Sequence, residues 1–226
     1  MPFFAMTGVL VSGGYKSAAL YRHCLEQRLA VAAVFVKTGL RADPVACHHA
    51  AGVVRAHGPA ADGRLTTVEY TMQDALGSHW SITGHKVPGP SSALDDRNIP
   101  GLLPAIVTAA AAFLIRLGIV KICVGLTAPS QAADRDLATL RLVESVLRSQ
   151  FGSAIELYAP LSSRTLVDLV REYGTLDLTL SCLAPIGFGP CGECFKCVER
   201  REAFRAAGVV DPAAPDGPRP DRSWRT

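Results

Sequence analysis

Charge is scarce in this chain. Twenty-three Lys and Arg and 20 Asp and Glu make up 19% of 226 residues and leave a formal net charge of +3. So small an excess is no nucleic-acid footprint, so no nucleic-acid partner is expected. Long apolar runs are missing too. The longest uncharged one, Leu102 to Ile115, has 14 residues and contains Pro104. That is too short for a bilayer and right for a buried helix, so no membrane partner is expected. The opening stretch MPFFAMTGVLVSGG has no basic region ahead of its apolar part, so no secretory leader is expected. No internal repeat is found. What is present is apolar: 49% of residues, which excludes wholesale disorder and suffices for a full core without disulfide staples.

Short apolar runs alternate with longer helical ones. Thr7–Ser12 reads as a strand closed by Gly13-Gly14, and Lys16–Leu29 as a helix with a stripe through Ala18, Leu20, Cys24, Leu25 and Leu29. Ala30–Val36 reads as a second strand, Pro44–His57 as a helix and Leu65–Tyr70 as a third strand. Residues 72–100 are rich in Gly, Pro and Ser and show no clear period, the mark of a functional or mobile connection. Helices are then expected at Leu103–Leu117, Asp134–Gln150 and Arg164–Tyr173, with strands at Val120–Leu126 and Ala154–Tyr158. This alternation predicts an α/β fold, a Rossmann-like parallel five-stranded sheet with helices on both faces. Ligands of such sheets sit beyond the carboxyl ends of the strands, so chemistry is expected in the turns after Ser12, Lys37 and Leu126. The expected organisation is an α/β nucleotide-binding domain over 1–180, a metal-binding segment with a closing helix over 181–208, and a disordered tail over 209–226. That tail holds four prolines.

Seven cysteines form an odd set, which in a chain of this size argues against a secreted disulfide scaffold and for the cytoplasm. Cys24, Cys47 and Cys123 lie singly in apolar segments and are expected to be small buried hydrophobes. Cys182, Cys191, Cys194 and Cys197 follow a C-x8-C-x2-C-x2-C spacing. Pro190, Gly192 and the stretch Gly187-Phe188-Gly189 supply the tight turns this needs. Four thiolates match the closed tetrahedral demand of structural Zn²⁺; an iron–sulfur cluster is the alternative. Lys196, Arg200 and Arg201 offset the negative charge. The ion is expected to pin the C-terminal helix and the loop from Ser181 against the sheet. The second motif is Ser12-Gly13-Gly14-Tyr15-Lys16-Ser17, between a strand and a helix. Glycines there let backbone N–H groups face an anion, and Ser12 and Ser17 add hydroxyls. It is not a P-loop, because G-x4-G-K-[ST] is absent.

Together the two motifs resemble 7-cyano-7-deazaguanine synthase, a family of PP-loop ATP pyrophosphatases. That family carries SGGxDS after its first strand and the same four-cysteine spacing near its end, here SCLAPIGFGPCGECFKCVERREAF. Tyr158-Ala159-Pro160-Leu161, Thr179-Leu180-Ser181-Cys182, and Val124-Gly125-Leu126 followed by Asp136 add to the likeness, which spans most of residues 7–207. The resemblance implies ATP and Mg²⁺ as cofactors beside Zn²⁺. It implies activation of a 7-deazaguanine carboxylate as an adenylate, attack by ammonia, and a second activation giving the nitrile preQ0, as in queuosine biosynthesis. Pyrophosphate would leave into the loop of Ser12, Gly13, Gly14 and Ser17. Asp136 is implied as a contact to the deazapurine or a metal; otherwise it is a helix N-terminal charge.

The chain departs from the family where that chemistry lives. Lys16 stands where the loop Asp is expected, Gly101-Leu102-Leu103 where Gly-Arg-Asn is expected, and Lys37-Thr38-Gly39-Leu40 where Asp-Tyr-Gly-Gln is expected. Arg97-Asn98 lies a few residues before the leucines and is the candidate substitute. Two readings follow. Either Lys16 or Lys37 supplies phosphate charge in place of the lost Arg, or ATP chemistry is gone and the fold binds a deazapurine or a protein partner. A further version joins the deazaguanine to a protein amine, since relatives of the family are encoded in antiphage defence operons. Lys16 is otherwise a solvated first-turn residue, mildly unfavourable to the helix dipole. A homodimer is a further expectation. Of the adjacent His48 and His49, one is expected in the core and one at the surface. His79, Trp80 and His85 in the long connection are candidates for a lid or for base stacking.

Overall fold

The computed structural model describes residues 6–58, 63–128, 136–152 and 154–213. Five parallel strands run in the order β3-β2-β1-β4-β5: β1 Thr7–Leu10, β2 Val31–Lys37, β3 Leu65–Glu69, β4 Lys121–Cys123 and β5 Glu156–Tyr158. Register is set from β1 outward, with Val9 opposite Ala33 on one side and Cys123 on the other. The chain moves from β1 to β2 to β3, then crosses back to place β4 on the other flank of β1. The switch point therefore lies between β1 and β4.

Helices cover both faces, as the alternation predicts. On one face, Val9, Val11, Phe35 and Cys123 pack with α1 (Tyr15–Glu26), α2 (Asp43–His57), α7 (Leu166–Tyr173) and α8 (Phe195–Ala207). On the other, Leu10, Val34, Val36, Ile122 and Val124 pack with α5 (Leu102–Ile115) and α6 (Leu137–Phe151). Residues of the central strands β1 and β2 alternate between two buried layers, which is why those strands read as apolar runs. The stretch Asp95–Ile115 is 21 residues long with a mean hydropathy of 1.8, enough by length and composition to cross a membrane. Its α5 part is a core helix: Val107, Ala110, Ala111 and Leu114 are fully buried against the sheet. Each such leucine contributes roughly 1.5–3 kcal/mol.

Several boundaries differ from the periodicity. The expected strand Val120–Leu126 pairs over three residues, because Gly125 turns the chain away after the Val124 N–H reaches Tyr158 O at 2.9 Å. The first helix stops at Glu26, because Arg28 enters the left-handed region at φ 55°. The aperiodic 72–100 stretch folds into two single-turn helices, α3 (Gln73–Leu76) and α4 (Trp80–Thr83), and a 3-10 turn at Asp95–Arg97. Met72, Ile99 and Leu102 bury a small core of their own there with Leu40, Leu76 and Trp80. Residues 134–135 of the expected helix Asp134–Gln150 and 214–226 of the expected tail lie outside the described residues. Cys24 and Cys123 are buried as expected, whereas Cys47 is half-buried.

Residues 209–213 are tied to the body. Arg200, 3% exposed, holds Asp211 through Nε at 2.9–3.0 Å and Nη2 at 2.8 Å, and its Nη1 donates to Thr179 O and Oγ1 at 3.1 and 2.9 Å. The guanidinium lies over the rings of Phe204 and Tyr15, 5.0 and 5.7 Å from their centroids. Removing one partner of so buried a pair leaves the other charge unpaired. Arg200→Met is expected to cost about 3–5 kcal/mol, read as a shift in a urea-denaturation midpoint.

Candidate functional site

The turn after β1 is held open from three sides. Ser12 donates from its N–H and its Oγ to Ser17 Oγ at 3.0 and 3.1 Å, and Ser17 Oγ donates to Gly14 O at 2.9 Å. Gly13 sits at φ +76°, and a Cβ on it would lie 2.2 Å from Ala46 O of α2. Only glycine meets both demands. From the far end of the chain, Leu180 N–H donates to Gly13 O at 2.9 Å and Ser181 Oγ accepts from Tyr15 N at 3.3 Å. Tyr15 is fully buried, its hydroxyl donating to Gly174 O at 2.6 Å; burial pushes its ionisation above the ordinary tyrosine range. Across the switch point the turn after β4 packs on the start of α1, where a Cβ on Gly125 would lie 3.4 Å from Lys16 O and Ser17 Cα.

A cavity of about 300 Å³ opens at this junction. The loop contributes Ser12, Gly14, Lys16 and Ser17; the turn after β4 contributes Gly125, Leu126 and Thr127. Leu102, Leu103 and Ile106 of α5 form an apolar wall, and Ser181, Cys182 and Leu183 form another. Lys196 and Glu199 of α8 complete it. Lys16 Nζ is 2.8 Å from Glu199 Oε1, and Lys196 Nζ is 2.8 Å from Oε2. Burial alone would raise the Glu199 carboxyl, but the two lysines hold it below the usual carboxylate range.

The four motif cysteines come together beside this cavity. All their sulfurs lie within 4.8 Å of one another, with Cys194–Cys197 at 3.6 Å and Cys191–Cys197 at 3.9 Å. A tetrahedral ion with sulfur bonds of about 2.3 Å sets such edges at about 3.8 Å, so the residues fit a four-thiolate metal site. Backbone N–H groups of Leu183, Cys191 and Cys194 donate to Cys194, Cys182 and Cys191 sulfurs at 3.5, 3.2 and 3.3 Å. Thiol hydrogen bonding from Cys182 holds Cys194 down at about 7; its neighbours drive Cys191 lower and Cys182 up.

Other candidates fall elsewhere. Lys37 stands at the exposed end of β2, 3.2 Å from Glu69, and does not line the cavity. The turn beyond it closes on itself: Asp43 Oδ2 accepts from the N–H groups of Thr38, Gly39 and Leu40 at 2.6, 2.8 and 3.2 Å. Arg97 donates to Ser92 O and Pro90 O at 3.1 and 2.6 Å and lies 5.3 Å over the Phe195 ring. It lines a second cavity, of about 390 Å³, which shares Thr127, Leu166 and Glu199 with the first. Asn98 Oδ1 is buried without a hydrogen-bond partner among the described residues. Asp136 is exposed and caps α6, accepting from Thr139 N–H at 2.8 Å, which holds its carboxyl below the ordinary range. It does not line the cavity. His79 caps α4 and Trp80 Nε1 donates to Asp96 O at 3.0 Å, so both brace the 72–100 connection. His85 N–H donates to Thr83 Oγ1 at 3.2 Å in the same connection. His48 is exposed against Phe188, and half-buried His49 faces Leu178 O and Phe188 O at 2.7 and 3.1 Å. Glu199 and Ser181 were not anticipated. The i,i+3 pair Lys196–Glu199 was the available signal for Glu199, but only the fold shows which way that face points.

These features define a class: an open parallel α/β sheet with a glycine loop at its switch point and a four-cysteine knuckle in the wall of the same crevice. The sequence model of the family described as Queuosine biosynthesis protein QueC matches residues 7–208, and the chain belongs to that family. Among curated relatives, 7-cyano-7-deazaguanine synthase of Allorhizobium ampelinum is 46% identical over 68 residues, covering 28% of each chain. The Laribacter hongkongensis synthase is 29% identical over 136 residues, covering 55% of this chain and 58% of that one. The matches thus span less than two thirds of these relatives. A solved 4-thiouridine synthetase–RNA complex with bound ATP is 16% identical with a TM-score of 0.49, covering 90% of this chain and 50% of that chain.

Gly13→Ala tests the loop. Strain at positive φ together with the clash against Ala46 O is expected to cost about 2 kcal/mol or more, measured by thermal unfolding. Metal analysis of purified protein is expected to find one ion per chain, and Cys194→Ser to lower both that content and the melting temperature.

Proposed function

We propose that the chain is an ATP-dependent carbon–nitrogen ligase of the cytoplasm that activates the carboxylate of a 7-deazaguanine for amide and nitrile formation. One observation carries the reading: the glycine loop, two lysines and the four-cysteine knuckle converge on one cavity at the switch point. The ion at the cysteines is read as zinc. Four thiolates leave no open position, so it holds structure and takes no part in the reaction. ATP, with Mg²⁺, would supply the pyrophosphate leaving group that activates the carboxylate.

The residues divide that work. The Ser12–Ser17 loop and the α1 N-terminus present donors to an anion. Lys16 and Lys196 bring positive charge to the same wall. Leu102, Leu103, Ile106 and Leu126 give a flat heteroaromatic ring apolar surface and keep water from an activated acyl group. Thr127 and Ser181 offer polar edges for orientation.

A second reading is favoured by Lys16 in the loop and by leucines at 102 and 103, where the family resemblance expects Asp, Arg and Asn. In that reading the relative has altered chemistry: it couples the deazaguanine to an amine on a protein partner, or it binds without turnover. Metal-loaded protein with ATP, Mg²⁺, 7-carboxy-7-deazaguanine and ammonium is expected to form AMP, pyrophosphate and the nitrile, followed by mass spectrometry. AMP without nitrile would move the assignment to another amine. No AMP from folded, metal-loaded protein would overturn the ligase.

A further inference from the structure

Two lysines far apart in sequence share one carboxylate inside the cavity. Lys16 is the second residue of α1 and Lys196 the second of α8, and each places its Nζ 2.8 Å from a different oxygen of Glu199. The side chains are only 21, 17 and 14% exposed. Two ammonium groups thus flank one carboxylate, beside a wall that includes Leu102, Leu103 and Leu183. A purely structural bridge needs one lysine; a second buried ammonium on the same acid adds desolvation cost. The arrangement gains a reason if the carboxylate is a stand-in. Its two oxygens meet the two ammoniums as two anionic oxygens of a ligand would, in a cavity that Gly14 and Ser17 also line.

We propose that Lys16 and Lys196 form a clamp for the phosphate oxygens of a pyrophosphate or nucleotide, and that Glu199 is the internal counter-ion which such an anion displaces. This rests on the reading of the cavity as a nucleotide site, and it names the groups that take the charge and the group that competes for them. The exchange breaks no covalent bond: the ammoniums turn from one carboxylate to the incoming anion. Glu199 thereby sets a threshold, because a ligand carrying a single weak negative charge gains little over the resident acid, whereas a diphosphate offers several oxygens at once. The cysteine knuckle fixes the clamp, since Cys194 and Cys197 bracket Lys196 and α8 carries Glu199 one residue beyond Val198.

The test is calorimetric titration of the full, metal-loaded chain with inorganic pyrophosphate and, separately, with ATP. Lys16→Met and Lys196→Met are each expected to weaken pyrophosphate binding about tenfold or more. Glu199→Gln, close in shape, is expected to tighten it several-fold, because a competitor has been removed. Thermal melts confirm that each variant is folded, and Glu199→Gln alone decides the matter if the lysine variants are not. A structural bridge predicts the opposite: Glu199→Gln would loosen both lysines and weaken binding or leave it unchanged, and that result overturns the clamp. Pyrophosphate binding that no variant alters overturns the clamp while leaving the nucleotide site intact. No binding by the wild type or by Glu199→Gln overturns both.

Discussion

Four sulfurs crowded within 4.8 Å of one another in a mostly buried pocket cannot all carry charge unless a cation stands among them. Much of the molecule's functional end depends on meeting that demand. The knuckle closes the chain from Ser181 onto the start of α8, and this closure brings Ser181 to the Tyr15 amide and Glu199 to the Lys16 ammonium. Without it, the glycine loop would keep its seat on α2 but lose its opposite wall. The cysteine knuckle and the cavity are therefore built together, from two ends of the sequence. Phe195 ties in the long 72–100 connection as well, donating its N–H to Pro88 O at 3.0 Å.

Internal acids recur where an anion would be welcome. Asp43 fills the ring of amides after β2, and Glu199 fills the lysine pair at the β1 loop. The first is a closed local device: three amides of a tight turn and one carboxylate, all within six residues. The second borders open volume and joins elements 183 residues apart. The same chemistry thus serves as a staple in one place and as an exchangeable contact in the other, and what separates them is access.

The layered sheet was legible because its central strands, β1 and β2, are buried along most of their length and read as apolar runs, as in Thr7–Leu10 and Val31–Val36. The knuckle was legible because metal-ligand spacing is local: three of its four thiols fall within seven residues. Charge partners were not. Whether Lys16 meets solvent, phosphate or an acid depends on where α8 lands, and that is set by the packing of Phe204 on Tyr15, 5.2 Å between ring centroids. Asp136 shows the converse. The family resemblance implied a ligand contact for it, and the structure shows its Oδ1 accepting from the Thr139 N–H at the start of α6, a contact that spacing along the helix made readable. The 72–100 connection hid its order because single-turn helices are too short to show a period.

The Arg200–Asp211 pairing reaches beyond the last helix. Because the guanidinium is enclosed by Thr179, Tyr15 and Phe204, its counter-charge must come from the chain that follows α8. Among the described residues Asp211 is thus the last side chain that stitches the chain to the body, and any shortened or re-spliced form that stops before it would strand a cation behind the loop that Tyr15 supports. Any trimming that spares the pairing must leave Asp211 in place, however dispensable the proline-rich composition makes the neighbourhood look.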